Sequence, residues 1–146
     1  MNLLEKAIQI ALEAHAGATD KTGLPYILHP LHLMMQMETE EEMITAVLHD
    51  VIEDSSVELC DLEAMGFPQS VLKALTLLTH DAAEAPYDEY VAAIRGNKLA
   101  RRVKLADLAH NMDVRRLPAL TKKDWDRLQQ YYRAWAVLTS DQRGDA

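Results

Sequence analysis

The chain has 146 residues, of which 49% are apolar and 26% charged, a length and composition that predict one domain with its own core. Its formal net charge of −8 argues against a polymeric nucleic-acid partner, because such partners are bound mainly through Lys and Arg. No apolar run approaches the roughly 18 residues that cross a bilayer, a single Cys60 excludes an intrachain disulfide, and the charges in MNLLEKAIQI argue against a signal peptide. We therefore expect a cytoplasmic protein without a membrane partner.

The first third of the chain predicts three helices. Apolar residues recur at three- and four-residue spacing over residues 3–15, and Gly17 ends that helix. Residues 18–26 have loop composition, and Pro30 opens a second helix through residue 37. Thr39 followed by three glutamates is a good helix start. The third helix is expected to continue without a break through residue 54.

Five more helices are predicted in the remainder. They cover residues 58–65, 68–78, 85–94, 99–113 with Asn97 as the cap, and 123–140 after Pro118. The inner side of the last helix should carry Trp125, Leu128, Tyr132, Trp135 and Leu138. No strand pattern longer than a few residues occurs. The fold class predicted is all-α, a compact bundle of roughly seven to eight helices in one domain spanning residues 1–146.

The sharpest chemical signal is His49-Asp50 inside an apolar helix. A carboxylate beside an imidazole is costly to bury unless a metal or a hydrogen-bond partner compensates. Within one helix, Glu53 and Asp54 would follow one turn later on the same sides. An adjacent pair of this kind more often caps a helix or hydrogen-bonds in a core than binds metal, so further ligands are needed.

Two further residues could complete a metal site. Asp107 is an acid in the apolar-flanked stretch VKLADLAHN, and His29 lies at the start of the second helix. Two imidazoles and two carboxylates suit a first-row divalent ion such as manganese or iron better than a structural zinc site. The water on such an ion becomes a nucleophile that can attack a phosphoryl group, with Glu53 or Asp54 orienting it or accepting its proton.

Other ionisable residues have less specific interpretations. We expect four further histidines to be surface or hydrogen-bonded residues: His15, His32, His80 and His110. A basic cluster in an acidic chain is most often a solvated face, although phosphate recognition competes with that reading. Its members are Arg95, Lys98, Arg101, Arg102 and Lys104. Lys104, three residues before Asp107, is the best substrate-binding candidate among them.

Four segments of the chain together resemble a known family. AHAGATDKTGLPYILHPL, AVLHDVIEDS, LTHDAAEAPYDEYV and LARRVKLADLAHNMD resemble the hydrolase domain of Rel/SpoT enzymes and their small stand-alone relatives, which are HD-domain metal phosphohydrolases. The resemblance implies an all-helical HD domain and removal of the 3'-pyrophosphate from (p)ppGpp, a small nucleotide. Because the chain has no room for a synthetase domain, we expect degradation of the nucleotide rather than synthesis.

The resemblance also implies roles for individual residues. A manganese ion would be held by residues matching His29, His49, Asp50 and Asp107, with Glu53 and Asp54 at the catalytic water. Fe²⁺, Co²⁺, Zn²⁺ and Mg²⁺ are alternatives to Mn²⁺. The nucleotide would be contacted by residues matching Lys21, Thr22 and Asn111.

Several positions depart from the Rel/SpoT pattern. Asp20 stands where an Arg usually precedes the matching Lys, and Asp113 and Val114 replace a basic residue and a hydroxyl. Leu108 and Ala109 replace the usual Arg-Leu. Two alternatives therefore stay open: an HD phosphohydrolase for a different nucleotide, and a catalytically weakened regulatory module that binds nucleotide or metal.

Overall fold

The computed structural model describes residues 1–144, and the side chains of residues 1–140. Within that range the chain forms α-helices and no strand, apart from an isolated β-bridge between Thr19 and Pro25. This confirms the all-α prediction. None of the described helices is long and apolar enough to span a membrane. The helices are α1 (Leu3–Ala14), α2 (Leu28–Met35), α3 (Glu40–Leu48), α4 (Val51–Asp54), α5 (Leu59–Ala64), α6 (Gln69–Leu78), α7 (Tyr87–Arg95), α8 (Lys98–Asn111) and α9 (Lys122–Gly144), with a 3₁₀ turn at Val114–Arg116.

Side-chain caps fix where the central helices begin. The Thr39 hydroxyl accepts a hydrogen bond from the backbone N–H of Glu42 at 3.1 Å, and the Glu42 carboxylate reaches back to the backbone N–H of Thr39 at 3.3 Å. Asn97 caps α8 in the same manner by accepting from the Ala100 N–H at 2.9 Å. These caps satisfy backbone donors that a helix start leaves unpaired.

The hydrophobic core has two clusters that meet at α3. One cluster joins Ala46 of α3 with residues of α2, α6, α7, α8 and α9, and the other joins Val47 and Leu48 with residues of α1, α5 and α6. Because α3 packs on both sides, its C-terminal end is held in a fixed position. That end is where His49 begins the candidate site.

The predicted inner face of α9 is partly wrong. Trp125 and Tyr132 are 55% and 65% exposed, whereas Ala134 and Leu138 are buried in the core. The first turn of α9 instead places Asp124 inward, where its carboxylate accepts hydrogen bonds from the Thr121 backbone N–H and hydroxyl. The buried residue of this turn is therefore a capping carboxylate and not the neighbouring Trp125.

Candidate metal centre and adjacent pocket

His49 and Asp50 lie at a break between two helices. α3 ends at Leu48 and α4 begins at Val51, so the prediction of one unbroken helix is wrong at this pair. The Ala46 carbonyl accepts hydrogen bonds from the His49 backbone N–H at 3.4 Å and from the His49 ring Nδ1 at 2.7 Å. The hydrogen bond to Ala46 fixes the orientation of the His49 ring, with Nε2 as its second polar atom.

Two other helices bring ligands to the same place. The Nε2 atom of His29, on α2, lies 2.9 Å from Oδ1 of Asp107, on α8. The Nε2 atom of His49 lies 3.0 Å from Asp50 Oδ2 and 3.6 Å from Asp107 Oδ1. His29, His49 and Asp107 are all buried, with 4–6% of their surface exposed. We call His29, His49, Asp50 and Asp107 together the metal cluster.

The polar atoms of the metal cluster fit a bound cation. Because a carbonyl can only accept, Nδ1 of His49 must carry a proton, and in the neutral ring Nε2 then has a lone pair beside two carboxylates. Nε2 of His49 is buried and makes no hydrogen bond within the described residues. The ligand atoms of His29, His49 and Asp50 lie within 4.8 Å of one another. A cation among them would satisfy all of these groups, and two imidazoles with two carboxylates suit a first-row divalent ion.

The pKa values show the same mutual dependence. Burial lowers the pKa of His49, but the Asp50 and Asp107 carboxylates outweigh burial and raise it well above its ordinary value. Burial would raise the pKa of Asp50, yet His49 holds it at about 2. The pKa of Asp107 is likewise kept well below its usual range, against burial, chiefly by the Lys104 ammonium. The cluster therefore keeps both carboxylates ionised, as metal ligands must be.

Neighbouring side chains hold the two carboxylates in place. Lys104 Nζ donates to Asp107 Oδ2 at 3.0 Å, and Asn111 Nδ2 donates to Asp107 Oδ1 at 3.0 Å. The Tyr26 hydroxyl donates to Asp50 Oδ2. Lys104 and Asn111, two of the predicted substrate-binding residues, are thus hydrogen-bonded to a predicted metal ligand.

Glu53 and Asp54 extend from α4 beside the cluster. Both are exposed. The Glu53 carboxylate accepts a hydrogen bond from the His80 backbone N–H. Partial burial and then the Asp50 charge raise the pKa of Asp54, and partial burial raises the pKa of Glu53 despite its bond to His80. A carboxylate with a raised pKa is a better proton acceptor than an ordinary one.

A cavity of about 290 Å³ opens next to the metal cluster. Its lining includes Tyr26, His29 and Asn111, so the cavity reaches the cluster at His29. Its remaining lining is mostly polar, with charges of both signs, one aromatic ring and two leucines: Thr19, Asp20, Lys21, Asp113, Arg116, Leu117, Asp124, Arg127, Leu128 and Tyr131. We call this cavity the pocket. Its size is near the lower limit for small-molecule sites.

The loop before α2 bonds mainly to itself. Asp20 Oδ1 accepts from the Thr22 N–H at 2.8 Å, the Thr22 hydroxyl at 2.6 Å and the Leu24 N–H at 3.1 Å. Thr22 is exposed and does not line the pocket. Lys21 does line it, but its Nζ is paired with Asp124 Oδ1 at 3.0 Å. The Asp20 carboxylate that departs from the Rel/SpoT pattern is therefore engaged in stabilising a turn.

Two of the remaining histidines are hydrogen-bonded as expected. His110 Nδ1 lies 2.7 Å from His29 Nδ1, and His80 Nε2 lies 3.0 Å from the Ala85 carbonyl oxygen. His15 differs, because it is buried and its Nε2 has no hydrogen-bond partner within the described residues.

The basic residues predicted near α8 have different surroundings. Lys98, Arg101 and Arg102 line a separate open groove of about 960 Å³. Arg102 Nη2 donates there to the Gln36 carbonyl at 3.1 Å. Lys104 is the exception, since it is bonded to Asp107 of the metal cluster.

Sequence reasoning missed several residues of the site. Tyr26 lies in the turn just before α2, three residues from His29, and this nearness in sequence could have suggested its contact with the cluster. Arg116, Arg127 and Tyr131 come from the 3₁₀ turn and α9. Their place in the pocket depends on how α9 packs back across the bundle, for which local sequence carries no signal.

Comparison with known proteins relates the chain to SpoT and Rsh proteins. No protein-family model matches it. The bifunctional (p)ppGpp synthase/hydrolase SpoT of Escherichia coli strain K12 is 34% identical over 123 residues, covering 75% of this chain and 17% of SpoT. The GTP pyrophosphokinase rsh of Brucella ovis is 32% identical over 123 residues, covering 75% of this chain and 16% of that protein. The chain thus spans about a sixth of the length of these relatives.

A solved structure supports the same relationship at the level of the fold. It is a metazoan orthologue of SpoT, described as hydrolysing ppGpp, and it superposes with a TM-score of 0.75 at 22% sequence identity. The match covers 99% of this chain and 87% of that one. By sequence and fold together, the chain is homologous to a segment of the SpoT and Rsh proteins and resembles HD-domain (p)ppGpp hydrolases.

Proposed function

We propose that the chain is a metal-dependent phosphohydrolase that removes the 3'-pyrophosphate from (p)ppGpp. The observation that carries the proposal is the convergence of two buried imidazoles and two carboxylates beside the pocket, with His49 Nε2 3.0 Å from Asp50 and 3.6 Å from Asp107. A purely structural core would lose the hydration of all four groups without any gain in binding. Similarity to SpoT and to a solved SpoT orthologue supports the choice of substrate.

In this proposal, His29, His49, Asp50 and Asp107 hold one divalent ion, for which manganese is our choice. The ion, when bound, lowers the pKa of a water molecule and polarises a phosphoryl oxygen. The hydrogen bonds from Tyr26 to Asp50 and from Lys104 to Asp107 keep the carboxylates oriented.

Glu53 and Asp54 supply the proton chemistry. One of them orients the attacking water and accepts its proton, and the raised pKa of both carboxyl groups supports that role. Their exposure leaves them accessible to water and substrate, unlike the buried ligands.

The pocket receives the nucleotide, with Lys21 and Asn111 as contacts at its wall. Thr22 stabilises the loop through its hydrogen bond to Asp20. Lys104 affects substrate binding indirectly, by holding Asp107 in position. We propose that residues 1–146 form one HD-type domain, of which 145–146 lie outside the described residues. We further propose that the protein acts on its small nucleotide in the cytoplasm and has no nucleic-acid or membrane partner.

One observation favours a second candidate, in which nucleotide binding is weak or directed to another base. Lys21 is already paired with Asp124, and Asp113 is paired with Arg115 through two hydrogen bonds of 2.9 Å. A cation that is already paired within the chain, such as Lys21 or Arg115, is less available to a phosphate group. A different nucleotide, or a regulatory module that binds without turnover, would both be compatible with this pairing.

A substrate panel tests the proposal. Purified protein stripped of metal and reloaded with Mn²⁺ is incubated separately with ppGpp, GTP, deoxynucleoside triphosphates and a phosphodiester, and released pyrophosphate and phosphate are measured. We expect pyrophosphate from ppGpp, and none from the same protein carrying His49→Ala. Turnover of another nucleotide would retain the mechanism and replace the substrate. Tight binding with no turnover anywhere on the panel would favour the regulatory module.

A further inference from the structure

His110 makes an unusual contact with a residue of the metal cluster. Its Nδ1 lies 2.7 Å from Nδ1 of His29, and the planes of the two rings differ by only 5°. Ring centres 5.0 Å apart are too distant for face-to-face stacking and fit two coplanar rings joined edge to edge by one hydrogen bond. His32 stacks on a face of His110, with ring centres 3.9 Å apart. Both neighbours therefore fix the plane of the His110 ring.

The hydrogen-bond partners determine where the protons lie when no metal is bound. Nε2 of His29 lies 2.9 Å from Oδ1 of Asp107, and an ionised carboxylate can only accept. Nε2 of His29 must then carry a proton, so its Nδ1 accepts from Nδ1–H of His110. Each ring holds one proton in this arrangement.

Binding of a metal through Nε2 of His29 requires the opposite arrangement. Nε2 must give up its proton to become a ligand, and the proton of the neutral ring must lie on Nδ1. The hydrogen bond survives only if Nδ1 of His110 now accepts, with the His110 proton on Nε2. The His29 Nε2 proton leaves to solvent, the shared proton moves from His110 to His29, and Nε2 of His110 takes one proton from solvent. Each ring again holds one proton.

We propose that His110 is a positioning residue that holds His29 in its metal-binding tautomer and orientation. The inference rests on the proposed metal site and adds a residue to it. His110 is suited to this role because imidazole can donate or accept at Nδ1, whereas an amide or hydroxyl in its place would have to reorient. Its exposed side lines the open groove, which gives Nε2 a route to solvent.

Two size-matched variants isolate the hydrogen bond. His110→Leu removes the acceptor, whereas His110→Asn places a side-chain oxygen at the position of Nδ1. We expect His110→Leu to weaken Mn²⁺ binding about 10–100-fold, the range found for outer partners of ligating histidines, and His110→Asn to recover most of that loss. His32→Leu removes the stacked neighbour but no hydrogen bond to His29, so its loss of Mn²⁺ affinity should be clearly smaller than that of His110→Leu. Binding is measured by calorimetric titration, with circular dichroism to confirm folding.

Nitrogen-15 spectra of the histidine rings give a readout that does not depend on activity. With diamagnetic Zn²⁺ as the probe, we expect the proton on Nδ1 of His29 and on Nε2 of His110, and the reverse in stripped protein. Equal Mn²⁺ affinity in wild type and His110→Leu, or a zinc-loaded His110 protonated at Nδ1, would overturn the inference. If His49→Ala abolishes binding while His110→Leu does not, the metal site stands and only the role of His110 fails. A wild-type protein that binds neither ion would refute both.

Discussion

The charged groups of the metal cluster and of the neighbouring pocket are paired in different ways. In the cluster, two buried imidazoles and two carboxylates converge from α2, α8 and the break between α3 and α4, and a cation among them would satisfy all four. In the pocket, Lys21 is paired with Asp124, and Asp20 is bonded within its own loop. The difference teaches that the groups of the cluster depend closely on one another, whereas the charges of the pocket are held in partly exposed pairs.

Removing a ligand should have the largest effect. His49→Ala deletes the Nε2 atom at the centre of the cluster, so we expect loss of metal binding and of hydrolysis together. Metal content after dialysis and turnover of ppGpp measure the two losses. Glu53→Gln serves as the matched control that should keep its metal. Retention of a full equivalent of Mn²⁺ by His49→Ala would contradict the ligand assignment.

Removing the proton acceptor should slow turnover without removing metal. For Glu53→Gln we expect kcat to fall by about 10²-fold or more, because a general base contributes on the order of 10²–10⁴-fold. The same preparation should bind Mn²⁺ as the wild type does. Unchanged kcat in Glu53→Gln together with a large loss in Asp54→Asn would assign the proton transfer to Asp54.

Removing a charge from the pocket should have a smaller effect. Lys21→Ala should raise KM for ppGpp about tenfold with kcat nearly unchanged, since the cost of a charge-assisted contact is reduced by the competing pair with Asp124. Metal affinity should stay the same. A fall in kcat with constant KM would show that Lys21 acts on the reaction and not on binding.

The smallest expected effect is on the pH dependence of kcat/KM. A proton acceptor must be ionised, and burial raises the pKa of Glu53 above its ordinary value. As pH falls through that raised pKa, Glu53 becomes protonated and kcat/KM should decrease, at a higher pH than an ordinary glutamate would give. A pH–rate profile of wild type against Glu53→Gln measures this limb. Its persistence at the same pH in Glu53→Gln would exclude Glu53 as its source.

Helix positions could be predicted well because their caps are local. Thr39 and Asn97 each bond within the first turn that follows them, so the sequence contains both donor and acceptor. The break at His49 and Asp50 could not be predicted, because no Pro or Gly marks it. The face of α9 was assigned wrongly at Trp125 because the first turn buries the neighbouring Asp124, which is bonded to Thr121.

For the site, the sequence pattern predicted which histidines and carboxylates take part, but not which side chains they contact. The placement of Asp107 in an apolar stretch already indicated a buried acid, and that burial is what the structure has. The contact of His110 with His29 depends on two helices crossing at a particular register, which neither helix encodes alone. The pairing of Lys21 with Asp124 joins residues 103 positions apart and is likewise a product of the tertiary fold.

The measurement that tests the central claim most directly is pyrophosphate release from ppGpp by stripped protein during stepwise addition of Mn²⁺. We predict no release from stripped protein, and a rate that rises with added metal until about one equivalent is bound. Full activity in the stripped protein, or one bound equivalent without any release from ppGpp or another nucleotide, would contradict the account.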